Sequence, residues 1–459
     1  MNRRNFIIIS SLVLGLNSKM SLSSENVNAK NITQEIVDSL SSNQIVNIPK
    51  GEYVIDVGAI KLSSNDKLRF AKDAIIHVNK KDNNRGYVFS IDGESNIEVV
   101  GGVFYDDDDS VEVVRIQNGS SGISINEVTC IGCRLTYCNV KGDYEDIDES
   151  NLNRKISIKG CQGYTQSVKT RNAFVELRYT KESECLSCTV NGYYHGLMFW
   201  GGDSNPKRNG SISNIRKSFN IAFKNNTIRN VQLGGIWGSM GSLITIDSNY
   251  LENGGDVGVD FEGCNDSSAT NNSIINFKNG GLATFFICNG IKFENNVSSA
   301  TKKGNVVAVI FNATQKQNNK GISFINNTFV GHGVLTLFKQ NGAVDDLLIK
   351  SNVFTNVTLN LMSKNNGDVE ITNNEFYFNL KPANDDYVVS VSNVTTSGKN
   401  ITLEDNKIHS NGKWFSDTRV FYVRVFENIN SGTSPVVKNN TVENVLSIKP
   451  ENLFKVTQK

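Results

Sequence analysis

The chain has 459 residues, more than one compact globular core usually contains, so the sequence predicts either two domains or one elongated repeat body. Its 47 basic and 46 acidic residues give a formal net charge of +1, which excludes a global attraction to nucleic acid or to an anionic membrane surface. Glycine is abundant, with 38 residues, and asparagine is frequent. Because both residues disfavour helix interiors, the composition argues against a helical protein.

Residues 1–29 are predicted to be an export signal. A basic start is followed by an apolar stretch that is short for a bilayer span but has the proportions of a signal peptide. The string Arg3-Arg4-Asn5-Phe6-Ile7 resembles the twin-arginine export motif, and a Sec-type signal with a chance arginine pair is the alternative. Either signal predicts a periplasmic or secreted protein. No membrane insertion is expected after signal removal, because no other stretch is long enough to span a bilayer.

An amphipathic helix and a strand come next. The apolar residues at positions 32, 36, 37 and 40 fall on one helical face, with Asn31 or Thr33 as the predicted cap. A strand begins at residue 44 and is broken by a Pro-Lys-Gly turn at positions 49–51, after which the apolar alternation resumes.

From residue 220 onward the sequence repeats one template, in which two apolar residues one apart are followed by an asparagine and another apolar residue. The template asparagines are Asn226, Asn249, Asn272, Asn296, Asn327, Asn352, Asn374, Asn406 and Asn440. The first intervals are 23, 23 and 24 residues, a solenoid period that suits three short strands per coil. Leucine is not periodic, which disfavours a leucine-rich repeat, and a β-propeller would need longer repeats. The template asparagines are predicted to adopt left-handed backbone and to stack their amides between coils.

The predicted fold is therefore all-β, a single-stranded right-handed parallel β-helix (a solenoid) with an N-terminal capping helix. The helix, the strand-turn string after it and the repeat resemble pectate-lyase-like parallel β-helix proteins, including phage tailspikes, in which the helix closes the first coil. The predicted β-helix domain is residues 30–449, with residues 450–459 as a C-terminal tail. The resemblance implies the fold more than the activity, because lyases, hydrolases, epimerases and adhesins share this fold.

The candidate active site is the run at residues 254–264, where one strand becomes doubly acidic. Read at period two, Val257, Val259 and Phe261 are predicted to point to the core. The opposite face is predicted to carry Asp256, Gly258, Asp260 and Glu262.

Asp260 and Glu262 are the predicted catalytic acid and base, and Asp256 is a predicted assistant that orients water or raises a neighbour's pKa. Their Cα atoms should lie about 6.5–7 Å apart along a strand. That spacing suits the carboxyl separation of about 6.5–9.5 Å in inverting glycosidases. A solvated acidic edge and a bound cation such as Ca²⁺ are the alternatives. Otherwise we expect no cofactor and no metal.

A sugar-binding belt is predicted beside these acids. Alignment of the coils stacks Trp237, Asp260 and Ala283 on one outer face and places Phe199 and Trp200 next to Trp237. Aromatic faces beside carboxylates suit sugar rings. The predicted substrate-binding residues are Trp237, Trp200, Tyr194, His195, Arg178 and Glu176. An arginine acting as a base would instead be lyase chemistry, with Lys169, Arg171 and Arg178 as the nearby basic residues.

Three further features have less specific meaning. The eight cysteines are predicted to fill core positions with one or two disulfides among them, and two Cys-x-x-Cys pairs leave zinc as the alternative. The acidic runs at 106–109 and 143–149 are predicted to be solvated loops, with calcium as the alternative. Gly331-His332-Gly333 resembles a polygalacturonase string, but it lies too far beyond Asp260 to match that family, and a turn histidine is expected.

These patterns predict an exported protein that cleaves or trims an exopolysaccharide or capsular glycan by carboxylate acid–base hydrolysis. Its organisation also resembles the exported β-helix protein encoded with colanic acid capsule genes, which implies a role in exopolysaccharide biosynthesis. The alternatives are a polysaccharide lyase, a non-catalytic polysaccharide-binding or assembly factor, and a structural or adhesive β-helix without a site. The predicted partner is a polysaccharide and not a nucleic acid; the sequence leaves the oligomeric state open.

Overall fold

The computed structural model describes residues 29–80, 86–106, 110–142, 147–165, 172–204, 215–311, 318–365, 367–380, 388–395, 401–410, 421–426, 436–443 and 454–458. The predicted export signal, Lys169, Arg171 and most of the two acidic runs lie outside these residues. Within them, the structure contains no helix that is both long and apolar enough to cross a membrane.

The described strands form three parallel ladders, A, B and C. Ladder A contains Lys30–Asn31, Glu52–Asp56, Ile75–Asn79, Val103–Tyr105, Thr129–Ile131, Gln162–Tyr164, Thr189–Asn191, Thr227–Val231, Tyr250–Gly254, Ser273–Phe277, Val297–Ala300, Thr328–Gly331, Val353–Thr355, Glu375–Phe378, Lys407–Ser410 and Thr441–Glu443. Ladder B contains Ile60–Lys61, Gly86–Asp92, Val111–Gln117, Arg134–Asn139, Ala173–Arg178, His195–Trp200, Ile236–Ser239, Val257–Glu262, Gly280–Phe285, Ala308–Phe311, Thr336–Asn341, Val357–Asn365, Val389–Thr395, Phe421–Phe426 and Phe454–Gln458. Ladder C contains Ile45–Ile48, Lys67–Phe70, Ser95–Val100, Ser121–Asn126, Asn153–Lys159, Thr180–Leu186, Ser218–Lys224, Gly241–Asp247, Asn265–Thr270, Asn289–Glu294, Asn319–Ile325, Val344–Lys350, Val369–Thr372, Ile401–Glu404 and Val436–Lys438.

Each coil passes through ladders C, A and B in turn. One coil, for example, runs through Ser218–Lys224, Thr227–Val231 and Ile236–Ser239, and each strand pairs in parallel with its counterpart one coil later. The predicted right-handed parallel β-helix is confirmed. The segment predicted to be a C-terminal tail includes Phe454–Gln458, which pairs with Phe421–Phe426 and so continues ladder B.

The predicted capping helix is present at Thr33–Asn43. Ile36 is fully buried and Ile32 and Leu40 are nearly so, which places the apolar face of the helix over the open end of the core. The N-cap residue is Ile32, between the two predicted cap positions, and its side chain makes no capping hydrogen bond. One residue earlier, the Asn31 side chain accepts a hydrogen bond from the Thr33 backbone N–H (3.0 Å). The only other described helix is a short 3₁₀ turn at Glu149–Asn151.

An asparagine ladder, formed by the nine template asparagines, lies at the corner between ladders C and A. The Nδ2 atom of Asn226 donates to Asn249 Oδ1 (2.9 Å), and Asn249 repeats the bond to Asn272 (2.9 Å). The same bond recurs at every later step to Asn440. The predicted amide stacking is therefore confirmed.

The predicted left-handed backbone of these asparagines is wrong by one position. The residue before each of them is left-handed instead, as at Asn225 (φ 57°) and Ser248 (φ 57°). The left-handed residue turns the chain at the corner, and the asparagine that follows it directs its amide into the corner, where neighbouring coils can reach it.

The core inside the ladders is continuous and rich in stacked phenylalanines, such as Phe354 over Phe376 (ring centroids 4.6 Å apart). All eight cysteines are buried in it as free thiols, which confirms the predicted core positions. The expected disulfides are not formed: even Cys185 and Cys188 have Sγ atoms 3.6 Å apart, well beyond a bond of about 2.05 Å.

Candidate active site on ladder B

The register of ladder B brings the predicted site residues together. Trp237 pairs with Asp260 and Asp260 pairs with Ala283, which confirms the alignment made from the repeat alone. Two residues further along the same pair of strands, Ser239 pairs with Glu262. Asp260 and Glu262 therefore lie on one strand, one coil after Trp237.

The predicted alternation of this strand is wrong at its start. Val257 is fully buried, but it packs outside the main core, in a cluster with Ala283 and Val309. A side chain at Gly258 would instead meet Ile274, which belongs to the core. The strand enters from a tight corner, so the alternation that places Val259 and Phe261 inside begins only after Gly258.

Asp260 is on the outer face but is not solvated. Its residue is 1% exposed, and among the described residues its Oδ1 atom has no hydrogen-bond partner. The apolar cluster of Val257, Ala283 and Val309, with Trp237 packed against it, explains much of this burial. A solvated acidic edge, the plainest alternative from the sequence, does not describe this carboxyl.

Glu262 is partly buried and is held by two donors. Trp237 Nε1 donates to Glu262 Oε1 (3.3 Å), and Ser204 Oγ donates to Glu262 Oε2 (3.2 Å). Ser204 is 4% exposed and follows the strand His195–Trp200, two coils before Glu262, so the segment after that strand folds against this carboxyl.

Both carboxyls of this pair bind protons more tightly than usual. Burial raises the pKa of Asp260 well above its ordinary range, and the charges of Glu262 and Asp256 raise it further. Burial also raises the pKa of Glu262, to about 7, although the bonds from Ser204 and Trp237 oppose the rise. Because the two groups titrate as a pair, the pair retains a proton near neutral pH.

Asp256 lies at the corner before the strand rather than beside the pair. Its Oδ1 atom accepts a hydrogen bond from Asn279 Nδ2 (2.8 Å). A shallow cleft of about 430 Å³ opens next to this corner, lined by Gly255, Lys278, Lys302 and residues of neighbouring turns. The cleft is therefore on the Asp256 side and not over the buried pair.

The predicted aromatic belt is present but differs in its members. Trp237 stacks with Trp200 and with His195, each at a centroid distance of 5.5 Å. The residue opposite Trp237 in register is Met198, whereas Phe199 is fully buried in the core, so its predicted place in the belt is wrong. Thr189 pairs with Thr227 as aligned, but the earlier coil reaches ladder B one residue sooner, so the alignment is wrong by one residue at Trp237.

Tyr194 and His195 form the start of this belt. Their rings meet edge to face at 5.0 Å, and His195 Nδ1 accepts a hydrogen bond from the Gly234 backbone N–H (3.2 Å). Burial lowers the pKa of His195 to about 4, so this imidazole is neutral at physiological pH. It can offer a ligand an Nε2–H donor but no charge.

Arg178 and Glu176 lie at the other side of Trp200 and belong to a larger set of ion pairs. Arg178 Nε bonds Glu176, and the guanidinium lies 5.2 Å from the Trp200 ring centroid. Glu176 also pairs with Arg134, which in turn pairs with Glu112. Sequence reasoning missed Glu112, Arg115 and Arg134, because the repeat is irregular before residue 220 and gave no alignment there.

The remaining candidates do not join the site. His332 is exposed in a turn, as expected. Among the described residues, no three His, Cys, Asp or Glu side chains are grouped so that they could hold a metal ion.

Comparison with solved structures finds distant similarity at low sequence identity. No known protein family and no curated protein matches this sequence. The surface adhesin PfbA of Streptococcus pneumoniae is similar in structure at 12% identity and a TM-score of 0.42, over 94% of this chain and 97% of its own. The catalytic unit of a GH87 α-1,3-glucanase from Streptomyces thermodiastaticus gives 13% and 0.37, over 93% and 71%. A tailspike protein of E. coli bacteriophage HK620, solved with a pentasaccharide, gives 11% and 0.39, over 91% and 78%.

Proposed function

We propose that this protein acts outside the cytoplasm on a polysaccharide and cleaves it by acid–base glycoside hydrolysis at Asp260 and Glu262. The observation that supports this proposal is a pair of carboxyls with raised pKa values. They lie two residues apart on one strand, beside a belt of indole and imidazole rings. Perturbed carboxyls of this kind cluster at functional sites, because catalysis needs groups that exchange protons near the working pH.

In this proposal the two carboxyls divide the work of hydrolysis. Asp260, whose pKa is raised by burial and by Glu262, holds the proton that the leaving sugar oxygen takes. Glu262, with a pKa of about 7, is ionised at slightly alkaline pH and serves as the base that activates water. Because Asp260 is 1% exposed, turnover also requires that substrate binding uncover it.

A lyase reaction that uses Arg178 as its base is less well supported. Burial lowers the pKa of Arg178, but the charge of Glu176, its hydrogen bond and the nearby tyrosines together outweigh that effect and keep the pKa above its usual value. A guanidinium in such an ion pair stays protonated and cannot accept the proton that a lyase must remove.

Product analysis tests the proposal directly. Purified wild type, Asp260→Asn and Glu262→Gln are incubated with the exopolysaccharide of the producing cell, and the products are analysed by mass spectrometry. Oligosaccharides released by the wild type alone, at the mass expected for water addition, are the predicted result. Products one water lighter would assign a lyase, and equal release by Asp260→Asn would remove that residue from the mechanism.

Glycan binding without turnover is the second candidate, and one observation favours it. The carboxyl of Asp260 is closed off from solvent, whereas the Trp200 and Arg178 side chains remain partly exposed. Intact polymer after incubation with the wild type, together with measurable binding that a Trp200→Ala variant loses, would make binding the better account.

A further inference from the structure

A continuous set of ion pairs, which we call the guanidinium ribbon, runs along the outer face of ladder B on the coils before Trp200. Its members are Glu112, Arg115, Arg134, Glu176 and Arg178. Arg134 is 6% exposed and lies between two carboxylates that are each 3% exposed. Its Nη2 atom pairs with Glu112, and its Nη1 atom lies 3.3 Å from Glu176 Oε2.

The two ends of the guanidinium ribbon differ from its centre, because they are accessible. Arg115 donates from Nε and Nη2 to Glu112 (2.6 and 3.0 Å), and 26% of its side chain is exposed. Arg178 bonds Glu176 through Nε, and 32% of its side chain is exposed. Within the described residues, Glu176 is the carboxylate bound to Arg178, and it engages neither terminal nitrogen of that guanidinium. A ligand can therefore reach N–H donors at both ends.

The guanidinium ribbon has one more positive group than negative groups. It contains three guanidinium cations, and two carboxylates balance two of them. A purely structural cluster is complete with Arg134 between its two carboxylates. The third guanidinium adds a positive charge that this packing does not require. A bound anion would neutralise that charge.

Aromatic rings hold the exposed guanidiniums in place. The Arg115 guanidinium lies 4.6 Å from the Tyr87 ring centroid, and that of Arg178 lies 5.7 Å from Tyr137 and 5.2 Å from Trp200. Cation–π contacts restrain the plane of each guanidinium, so its unused donors are preorganised for a planar anion. A ring beside a bidentate donor also suits a sugar that carries a carboxylate.

We propose that the guanidinium ribbon binds carboxylate-bearing sugar units of a glycan chain that runs along ladder B toward Glu262. Arg178, Trp200, Ser239 and Glu262 follow one another in register, so three coil steps separate Arg178 from Glu262. At about 4.8 Å per step, this is about 14 Å, within reach of a short oligosaccharide. The inference rests on the proposed function in one respect, since the same glycan would then reach the carboxyl pair.

Binding measured separately from cleavage tests this proposal. Glu262→Gln protein, which should not turn over its substrate, is passed over immobilised polygalacturonate, alginate and hyaluronan, over dextran sulfate, and over neutral dextran and amylose. We expect retention on at least one of the three carboxylate glycans, weakened by salt, and none on the neutral polymers. Adding Arg178→Gln or Arg115→Gln should weaken that binding about tenfold, because each removes a charge-assisted contact.

Two arginines serve as controls. Arg229 on ladder A has the same kinds of partner as the ribbon ends, a carboxylate (Glu252, 3.1 Å) and a tyrosine ring (Tyr250, 4.9 Å). Because it lies on another ladder, Arg229→Gln should bind as the parent does. Arg134→Gln should lower the melting temperature most, because it removes the buried guanidinium that lies between two buried carboxylates.

Four results would overturn the inference: equal retention on neutral polymers, unchanged affinity in Arg178→Gln, retention on dextran sulfate but on none of the carboxylate glycans, or no retention on any polymer. Failure of the proposed hydrolysis looks different, since binding and its arginine dependence would persist while the wild type released no product.

Discussion

The carboxyl pair of Asp260 and Glu262 shows how a single strand creates an unusual proton affinity. Two acids on alternate positions must face the same side, and here that side is covered by Trp237 and the Val257 cluster. Water is excluded, so the charged forms lose solvation that the two available donors restore only in part. The raised pKa values follow from that burial more than from the mutual charge.

Glu262 should make the stability of the protein depend on pH. Its pKa rises from 4.5 in the unfolded chain to about 7 in the folded one, so the folded state prefers the protonated acid. Its contribution is fully favourable below about pH 4.5 and is lost as pH rises through about 7. Glu262→Gln should therefore gain stability over the wild type at pH 8, on the order of 1–3 kcal/mol, and gain little at pH 4.

Urea denaturation at several pH values measures this difference. Glu370→Gln, at an exposed position of ladder C, is the matched control and should change little at any pH. A Glu262→Gln difference that is constant from pH 4 to pH 8 would show that the carboxyl is not protonated on folding.

Trp237 should lower the pKa of the Glu262 carboxyl. Its Nε1–H donates to Glu262 Oε1 and so favours the charged carboxylate. Trp237→Phe removes that donor but keeps a ring in the belt, so the pKa of Glu262 should rise above about 7. Titration of the Glu262 carboxyl by carbon NMR measures the shift, and any activity should move its acid limb to higher pH. An unchanged or lower pKa would contradict the proposed hydrogen bond.

At the level of elements, the asparagine ladder joins successive coils through buried side-chain amides. Asn272 is 1% exposed, donates to Ile246 O and Asn296 Oδ1, and accepts from both the backbone and the side chain of Asn249. Asn272→Ala leaves several buried polar groups without partners and should cost about 2–4 kcal/mol. Asn440 is only partly buried at the end of the described ladder, so Asn440→Ala should cost less. Chemical denaturation compares the two variants, and equal losses would argue against a cooperative ladder.

The same elements show what the sequence could predict. The spacing of the template asparagines fixed the coil register, so the stacking of Trp237 on Asp260 followed without a structure. The direction of Val257 was not predictable from alternation, because the corner before it shifts the pattern. The burial of Glu262 depends on Ser204, which is 58 residues away along the chain, and no local pattern indicates such a contact. The ion pairs of Arg134 span 22 and 42 residues for the same reason.

For the whole molecule, the reactivity of the eight cysteines shows whether the coils open separately or together. All eight thiols are buried in one continuous core between positions 130 and 288, and burial raises the pKa of Cys138, Cys264 and Cys288. A thiol reagent needs an exposed thiolate, so native protein should show almost no fast-reacting thiols, while denatured protein should show all eight. A colourimetric thiol assay with and without guanidinium counts them.

Labelling kinetics then distinguish local from global opening. In a solenoid each coil contacts only its neighbours, so opening can spread along the axis from a weak point instead of involving the whole chain at once. Mass spectrometry of native protein exposed slowly to iodoacetamide should show similar rates for Cys185 and Cys188, which share one corner with Sγ atoms 3.6 Å apart. Cys288, beside the strand four coil steps later, should label at its own rate if opening is local. A single common rate for all eight thiols would instead show that the β-helix opens only by unfolding as one unit.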